Sequence, residues 1–226
     1  MTNLLTNMPI KIGIASAITI IGIIVSIYAI DGLGMDSEVQ MESKIDLDKL
    51  RQISHTLGSD DAPITIIEFG DYQCPFCGEW YQQTSPTLNE KYIQTGKVQL
   101  IYVDYPFLGA DSYPTSYASF CAEEQEKYWE FHDIMFVNQG DTNDGWASPD
   151  NIRKLVQGID IDMDQYDQCV SSTTYKQTLD ENLQIGQEQG VSQTPTFIVL
   201  NDKEQYQKIE GKQPLIVFDD IIEKMS

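Results

Sequence analysis

The chain has 226 residues, of which 41% are hydrophobic, with 12 Tyr and 8 Phe. That composition excludes a disordered polymer, and the length suffices to bury a core without disulfides as scaffold. Acids number 35 against 14 bases, and all the acids lie from Asp31 onward, so residues 31–226 carry 13 bases and a net charge of −22. A surface of that sign repels phosphate backbones and argues against nucleic acid as a partner.

Residues 1–31 read as a membrane anchor. Ile12 to Ile30 is a run of 19 residues without a formal charge, and at about 1.5 Å per helical residue it spans the ~30 Å hydrocarbon core. The alternative is a cleaved signal peptide, against which stand the length of the run and the absence of a clear A-x-A site after it. Lys11 precedes the run and Asp31, Asp36 and Glu38 follow it. The positive-inside rule then leaves the N-terminus in the cytoplasm, residues 10–30 in the bilayer and the remainder outside. Residues 32–44, polar and Gly-containing, read as a tether.

Ile45 to Leu57 carries apolar residues at near-helical spacing and predicts a helix, broken by Gly58 and Pro63. Ile64 to Phe69 is almost continuously apolar and β-branched, which suits a strand buried on both faces. Gly70-Asp71-Tyr72-Gln73 is the turn, and a helix is expected from Cys74 to about Thr95, stopped by Gly96. Val98 to Val103 reads as the next strand. Helical character follows over Ser112–Asn138, Pro149–Gly158, Asp164–Ser171 and Tyr175–Gln189, with Gly190 ending the last. Thr196–Leu200 and Gln205–Ile209 are strands at hairpin distance, and Pro214–Met225 closes as a helix. The fold class is α/β: a βαβ start, a helical block, then a hairpin and a helix, which is a thioredoxin-like arrangement with an inserted helical domain. Residues 45–104 and 189–226 form the thioredoxin-like part and 105–188 the helical insertion.

Cys74-Pro75-Phe76-Cys77 sits where a strand leads into a helix, the context that makes a CxxC specific for redox chemistry. A cysteine at a helix N-terminus meets unpaired N–H groups and the positive end of the dipole, so its reactive thiolate is stabilised. Pro75 fits the first turn, where its missing N–H has no intrahelical use. Cys77 lies one turn along the same face, within disulfide reach. Cys74 is thus the exposed nucleophile and Cys77 its shielded partner. A zinc site would need a second close cysteine pair, which Cys121 and Cys169 do not form, and His55 and His132 add no ligand spacing; no metal or other cofactor is expected. Glu68, in the middle of the apolar strand, should lie beneath the active-site helix and exchange a proton with Cys77, the alternative being a strand-end acid facing water. Thr194-Pro195, just before a strand, suggests a cis-proline loop facing the CxxC, where backbone groups would receive an extended peptide. Pro75, Phe76, Thr194 and Pro195 are the expected substrate contacts.

Three stretches, Asp61 to Cys77, Cys121 to Asp133 and Gln193 to Phe197, resemble the DsbA-like thiol:disulfide oxidoreductases, over about residues 55–225 and closest to membrane-tethered members with a second cysteine pair. The resemblance implies that Cys74 exchanges, Cys77 resolves and Thr194-Pro195 docks substrate. It implies reduced exported proteins as substrates and a quinone-linked membrane reoxidant, DsbB-like or vitamin K epoxide reductase-like. The family's strongest oxidants have His where this chain has Phe76. A neutral residue should stabilise the thiolate less, leaving a less oxidising disulfide. Cys121 and Cys169 both fall in the insertion, and a bridge between them is expected in an oxidising compartment, the alternative being two buried thiols. Trp129, Phe131, Met135 and Phe136 read as helix core. An oxidase is the leading function; the alternatives are an isomerase or reductase using the same pair, and a non-catalytic thioredoxin-fold chaperone.

Overall fold

The computed structural model describes residues 45–203 and 205–226. The anchor and tether expected over 1–44 lie outside them, and among the described residues no helix is long and apolar enough to cross a membrane.

Two apolar runs make the centre of the sheet. β2 (Ile64–Gly70) and β3 (Val98–Asp104) are buried at every position and pair in parallel, from Ile64 opposite Val98 to Gly70 opposite Asp104. β4 (Thr196–Asn201) lies antiparallel on the other side of β2, and β5 (Tyr206–Glu210) antiparallel on β4. A three-residue strand, β1 (His55–Leu57), covers the free edge of β3, giving the order β1-β3-β2-β4-β5. This is the thioredoxin-like α/β arrangement that the order of elements implies.

Alternation along β2 sorts its side chains onto two faces. Ile64 and Ile66 pack with Trp80, Leu88 and Phe218, contributed by α2 (Pro75–Gln83), α3 (Ser85–Leu88) and α9 (Leu215–Met225). Ile67 and Phe69 pack with Leu50 of α1 (Leu47–Ile53) and with Leu183 of α8 (Lys176–Glu188). Glu68 shares its face with Ile64 and Ile66, which places it under α2. Between β3 and β4 the chain forms α4 (Ser112–Glu123), α5 (Tyr128–Val137), α6 (Pro149–Val156), α7 (Met163–Val170) and α8. The core of this helical block, with Phe131, Met135 and Phe136 in it and Trp129 packed against it, runs continuously into Tyr72, Cys74 and Cys77.

Three elements depart from the sequence expectation. The helix expected over 45–57 ends at Ile53; Ser54 is extended, and His55 to Leu57 pair with Tyr102, Ile101 and Leu100. Apolar residues at 53 and 57 fit either period, and the open hydrogen bonds of β3 decide the outcome. The helix expected over 74–95 breaks at Thr84, where Pro86 forbids the regular bond two residues on; after α3 the chain closes as a wide turn over Asn89–Ile93. The stretch 112–138 is two helices, because Glu126 takes a left-handed φ of 59° between them. Gly96 and Gly190 stop their helices with φ of 72° and 64°, as expected.

Candidate active site

The turn after β2 is held from three sides. Gly70 ends the strand where a Cβ would overlap the Tyr102 phenol. The Asp71 carboxylate, fully buried, accepts the backbone N–H of Gln73 at 2.8 Å and those of Phe107 and Leu108 at 3.0 Å each. Burial pushes the Asp71 carboxyl up, against these bonds, which favour its charge. The Gln139 carboxamide donates to the carbonyls of Tyr72 at 2.7 Å and Cys74 at 2.9 Å. Thr142 donates to the Gln73 carbonyl at 2.9 Å, and the Asn143 N–H to its side-chain oxygen at 2.8 Å.

This frame sets Cys74 as the N-cap of α2, with φ −81° and ψ 115° and Pro75 at the first helical position. Cys74 and Cys77 are unbridged, at 4% and 0% exposure, so the expected nucleophile is less open than its place at the helix start suggested. Pro75 and Phe76 are exposed, and Phe76, at 56%, forms the outer lip of the site. The Thr194–Pro195 peptide is cis. In the thiol form Cys74 donates to the Thr194 carbonyl at 3.1 Å, so the loop expected to face the CxxC touches its first sulfur.

The two thiols are driven apart. A hydrogen bond from Cys77, helped by Thr194 and by the N–H groups of Cys77 and Phe76, outweighs burial and lowers Cys74 from 9.0 to about 6. Burial, then the Cys74 sulfur, then the Glu68 carboxylate raise Cys77 well above its ordinary value. Glu68 is 2% exposed, sits opposite Tyr102 and Phe197 in the sheet, and is raised well above the usual carboxylate range by burial and by Cys74. One thiol is therefore built to be a thiolate and the other to keep its proton, with Glu68, whose pKa burial raises, on the sheet face beneath α2.

Cys121 of α4 and Cys169 of α7 are joined, with S–S 1.99 Å and Cα–Cα 5.7 Å. His132 is buried among rings of Tyr72, Tyr81, Tyr102 and Trp129, and burial lowers its pKa. His55 contacts Asp104 at 3.0 Å and Glu123 at 3.3 Å and stacks on Tyr128. Among the described residues no group of three or more His, Cys, Asp or Glu could hold a metal ion. Asp71, Gln139, Thr142 and Asn143 escape sequence reasoning. Asp71 was legible only as a turn residue, and the other three meet the site from 65 or more residues away.

Comparison with known proteins points the same way. The thioredoxin family profile matches residues 51–217. The chain is 32% identical over 148 residues to the probable disulfide bond formation protein D of Bacillus cereus, covering 64% of this chain and 68% of that one. It is 31% identical over 150 residues to disulfide bond formation protein D of Bacillus subtilis, covering 65% and 67%. Oxidised BdbD from Bacillus subtilis superposes with a TM-score of 0.69 at 27% identity, over 77% of this chain and 93% of that one. DsbA of Chlamydia trachomatis gives 0.66 at 25% identity, over 75% and 90%. The split between a thiolate at Cys74 and a shielded thiol at Cys77 is what disulfide exchange requires, and the chain belongs to the thioredoxin family, as a DsbA-like protein disulfide oxidoreductase.

Proposed function

We propose that this enzyme works outside the cytoplasmic membrane, as a single-pass protein, and introduces disulfide bonds into exported proteins. The observation that carries this reading is the setting of Cys74, which caps α2 against the cis Thr194–Pro195 loop and whose pKa hydrogen bonding there lowers to about 6. A thiolate of low pKa is a good leaving group, and one stabilised in the reduced enzyme makes the disulfide an oxidant. The Cys121–Cys169 bridge supports an oxidising compartment, and the apolar run from Ile12 to Ile30 supports the anchor.

A substrate thiolate attacks Cys74 Sγ of the Cys74–Cys77 disulfide. The Cys74–Cys77 bond breaks, a mixed disulfide forms, and Cys77 departs as a thiolate. Its high pKa makes it take up a proton, and Glu68, whose own pKa burial raises, is placed to supply it. The substrate's second thiolate then attacks the substrate sulfur of the mixed disulfide and releases Cys74 as a thiolate. The substrate has lost two electrons and the enzyme has gained them; a quinone-linked membrane partner takes them back. The Thr194-Pro195 loop, with Pro75 and Phe76 at the rim, receives the extended substrate.

The test compares oxidation of a reduced dithiol peptide with refolding of a scrambled protein, alongside the Cys74–Cys77 potential. Faster oxidation and a potential well above a reductase's value of about −270 mV are expected. A potential near that value defeats the reading in favour of a reductase or isomerase, which the neutral Phe76 favours. Unchanged activity in cells after Cys74→Ala would leave only a chaperone.

A further inference from the structure

Among the described residues, the Gln139 side chain is the one group of the helical block that bonds the backbone of the first active-site cysteine. Its Nε2 spans two carbonyls, 2.7 Å from Tyr72 and 2.9 Å from Cys74. The Cys74 carbonyl also accepts the N–H groups of Cys77 and Gly78 at 3.1 and 3.2 Å, the first bonds of α2. That one oxygen therefore helps fix the tilt of the peptide planes of Phe76 and Cys77, whose N–H groups favour the Cys74 thiolate. The fit is specific: a Cβ at residue 78 would overlap the Gln139 carboxamide, so Gly78 leaves the space that Gln139 fills. Asn143, a few residues further along the same loop, adds the bond to Gln73 and donates to the Leu108 carbonyl at 3.0 Å, so the whole 139–143 loop grips the turn.

We propose that Gln139 is a positioning residue for disulfide exchange, a clamp from the helical block that holds the Cys74 turn in the geometry that stabilises its thiolate. The inference rests on Cys74 being the exchanging sulfur. It gives the helical block a part in the chemistry beyond covering the sheet: the acidity of Cys74, about 6, depends on a loop outside the βαβ unit. The chemical reason is that the N–H groups stabilise the thiolate only while they point at it, and a turn released from its clamp has other orientations open.

The experiment titrates Cys74 in the full-length chain, by thiolate absorbance and by the pH dependence of alkylation, in Gln139→Ala, Gln139→Glu and Gly78→Ala. Loss of the clamp removes on the order of one hydrogen bond, so the acid dissociation of Cys74 weakens by about three- to tenfold and the disulfide becomes less oxidising. Gln139→Glu keeps the size but cannot donate, and should shift Cys74 at least as far as Gln139→Ala. Gly78→Ala displaces Gln139 while favouring the helix, which offsets the two lost bonds, so the same shift should come with little change in thermal stability; that combination separates positioning from mere folding, even if a Gln139 variant unfolds. A Gly78→Ala protein that is stable and titrates like the parent overturns the inference, as does a folded Gln139→Glu protein that does so. Alkylation of Cys77 before Cys74 in the parent would instead overturn the assignment of Cys74 on which it rests.

Discussion

Replacing Phe76 by His is the sharpest test of how this site sets its reactivity. Phe76 lies between the two cysteines and is 56% exposed; it contributes a backbone N–H to the Cys74 thiolate but no charge. An imidazolium within about 4–6 Å of a thiolate lowers its pKa by about 1–3, and partial exposure to water puts this site at the low end. Cys74 should move from about 6 to about 5. That is about 1.4 kcal/mol more stabilisation of the reduced form, or about 30 mV more oxidising for a two-electron couple. The assay is equilibration with glutathione buffers, read by tryptophan fluorescence or by alkylation, with Phe76→Ala as the control for loss of the ring alone. A Phe76→His enzyme whose Cys74 titrates at or above the parent's value refutes the reasoning. So does one whose pKa falls with no rise in potential, because the two are linked through the same thiolate.

Glu68→Gln removes the proposed proton donor to the departing Cys77, so formation of the mixed disulfide should slow by about a hundredfold, a typical loss for a positioned acid or base; rapid-quench trapping of the mixed disulfide reads it, and an unchanged pH–rate profile would falsify the role. Joint replacement of Cys121 and Cys169 by Ala opens a bridge spanning 48 residues, for which chain entropy gives about 4 kcal/mol. The urea midpoint should fall by more than about 1 M, while the Cys74–Cys77 potential stays put. His55 is raised despite burial, because Asp104 and Glu123 hold its charged form. A raised folded value contributes stability in full below the ordinary 6.5 and loses it as pH climbs through the folded value. His55→Gln should therefore cost more stability at about pH 5.5 than at about pH 8.5, by parallel urea titrations; the reverse order would show that His55 is neutral in the fold.

What the sequence made legible was local. Ile64 to Phe69 announces a two-faced buried strand by its own composition, and strand alternation then puts Glu68 on the face under α2. The CxxC falls where the sequence places it, because one strand–helix junction contains the whole motif. The loop at Thr194-Pro195 was legible in place, though its 3.1 Å contact with Cys74 was not. β1 was misread because three residues of edge strand carry no period of their own, and only the open flank of β3 calls them into the sheet. Pro86 did mark the break in the long helix, and weighing it would have corrected the boundary. Gln139 left no signal, since a carboxamide in a polar loop gains its meaning only from the backbone it folds against.

The buried Cys121–Cys169 bridge, its sulfur-bearing residues 0% and 7% exposed, sits inside an enzyme whose own chemistry breaks and makes such bonds. A protein that trades disulfides all its life carries one it must never trade. Exchange needs a thiolate to reach a sulfur, and this bridge is packed into the core of the helical block. The fold thereby divides its four described cysteines into a currency and a rivet, and it does so by setting rather than by burial: Cys74, at 4% exposure, is no more open than Cys169 at 7%, but it caps a helix and touches the Thr194 carbonyl.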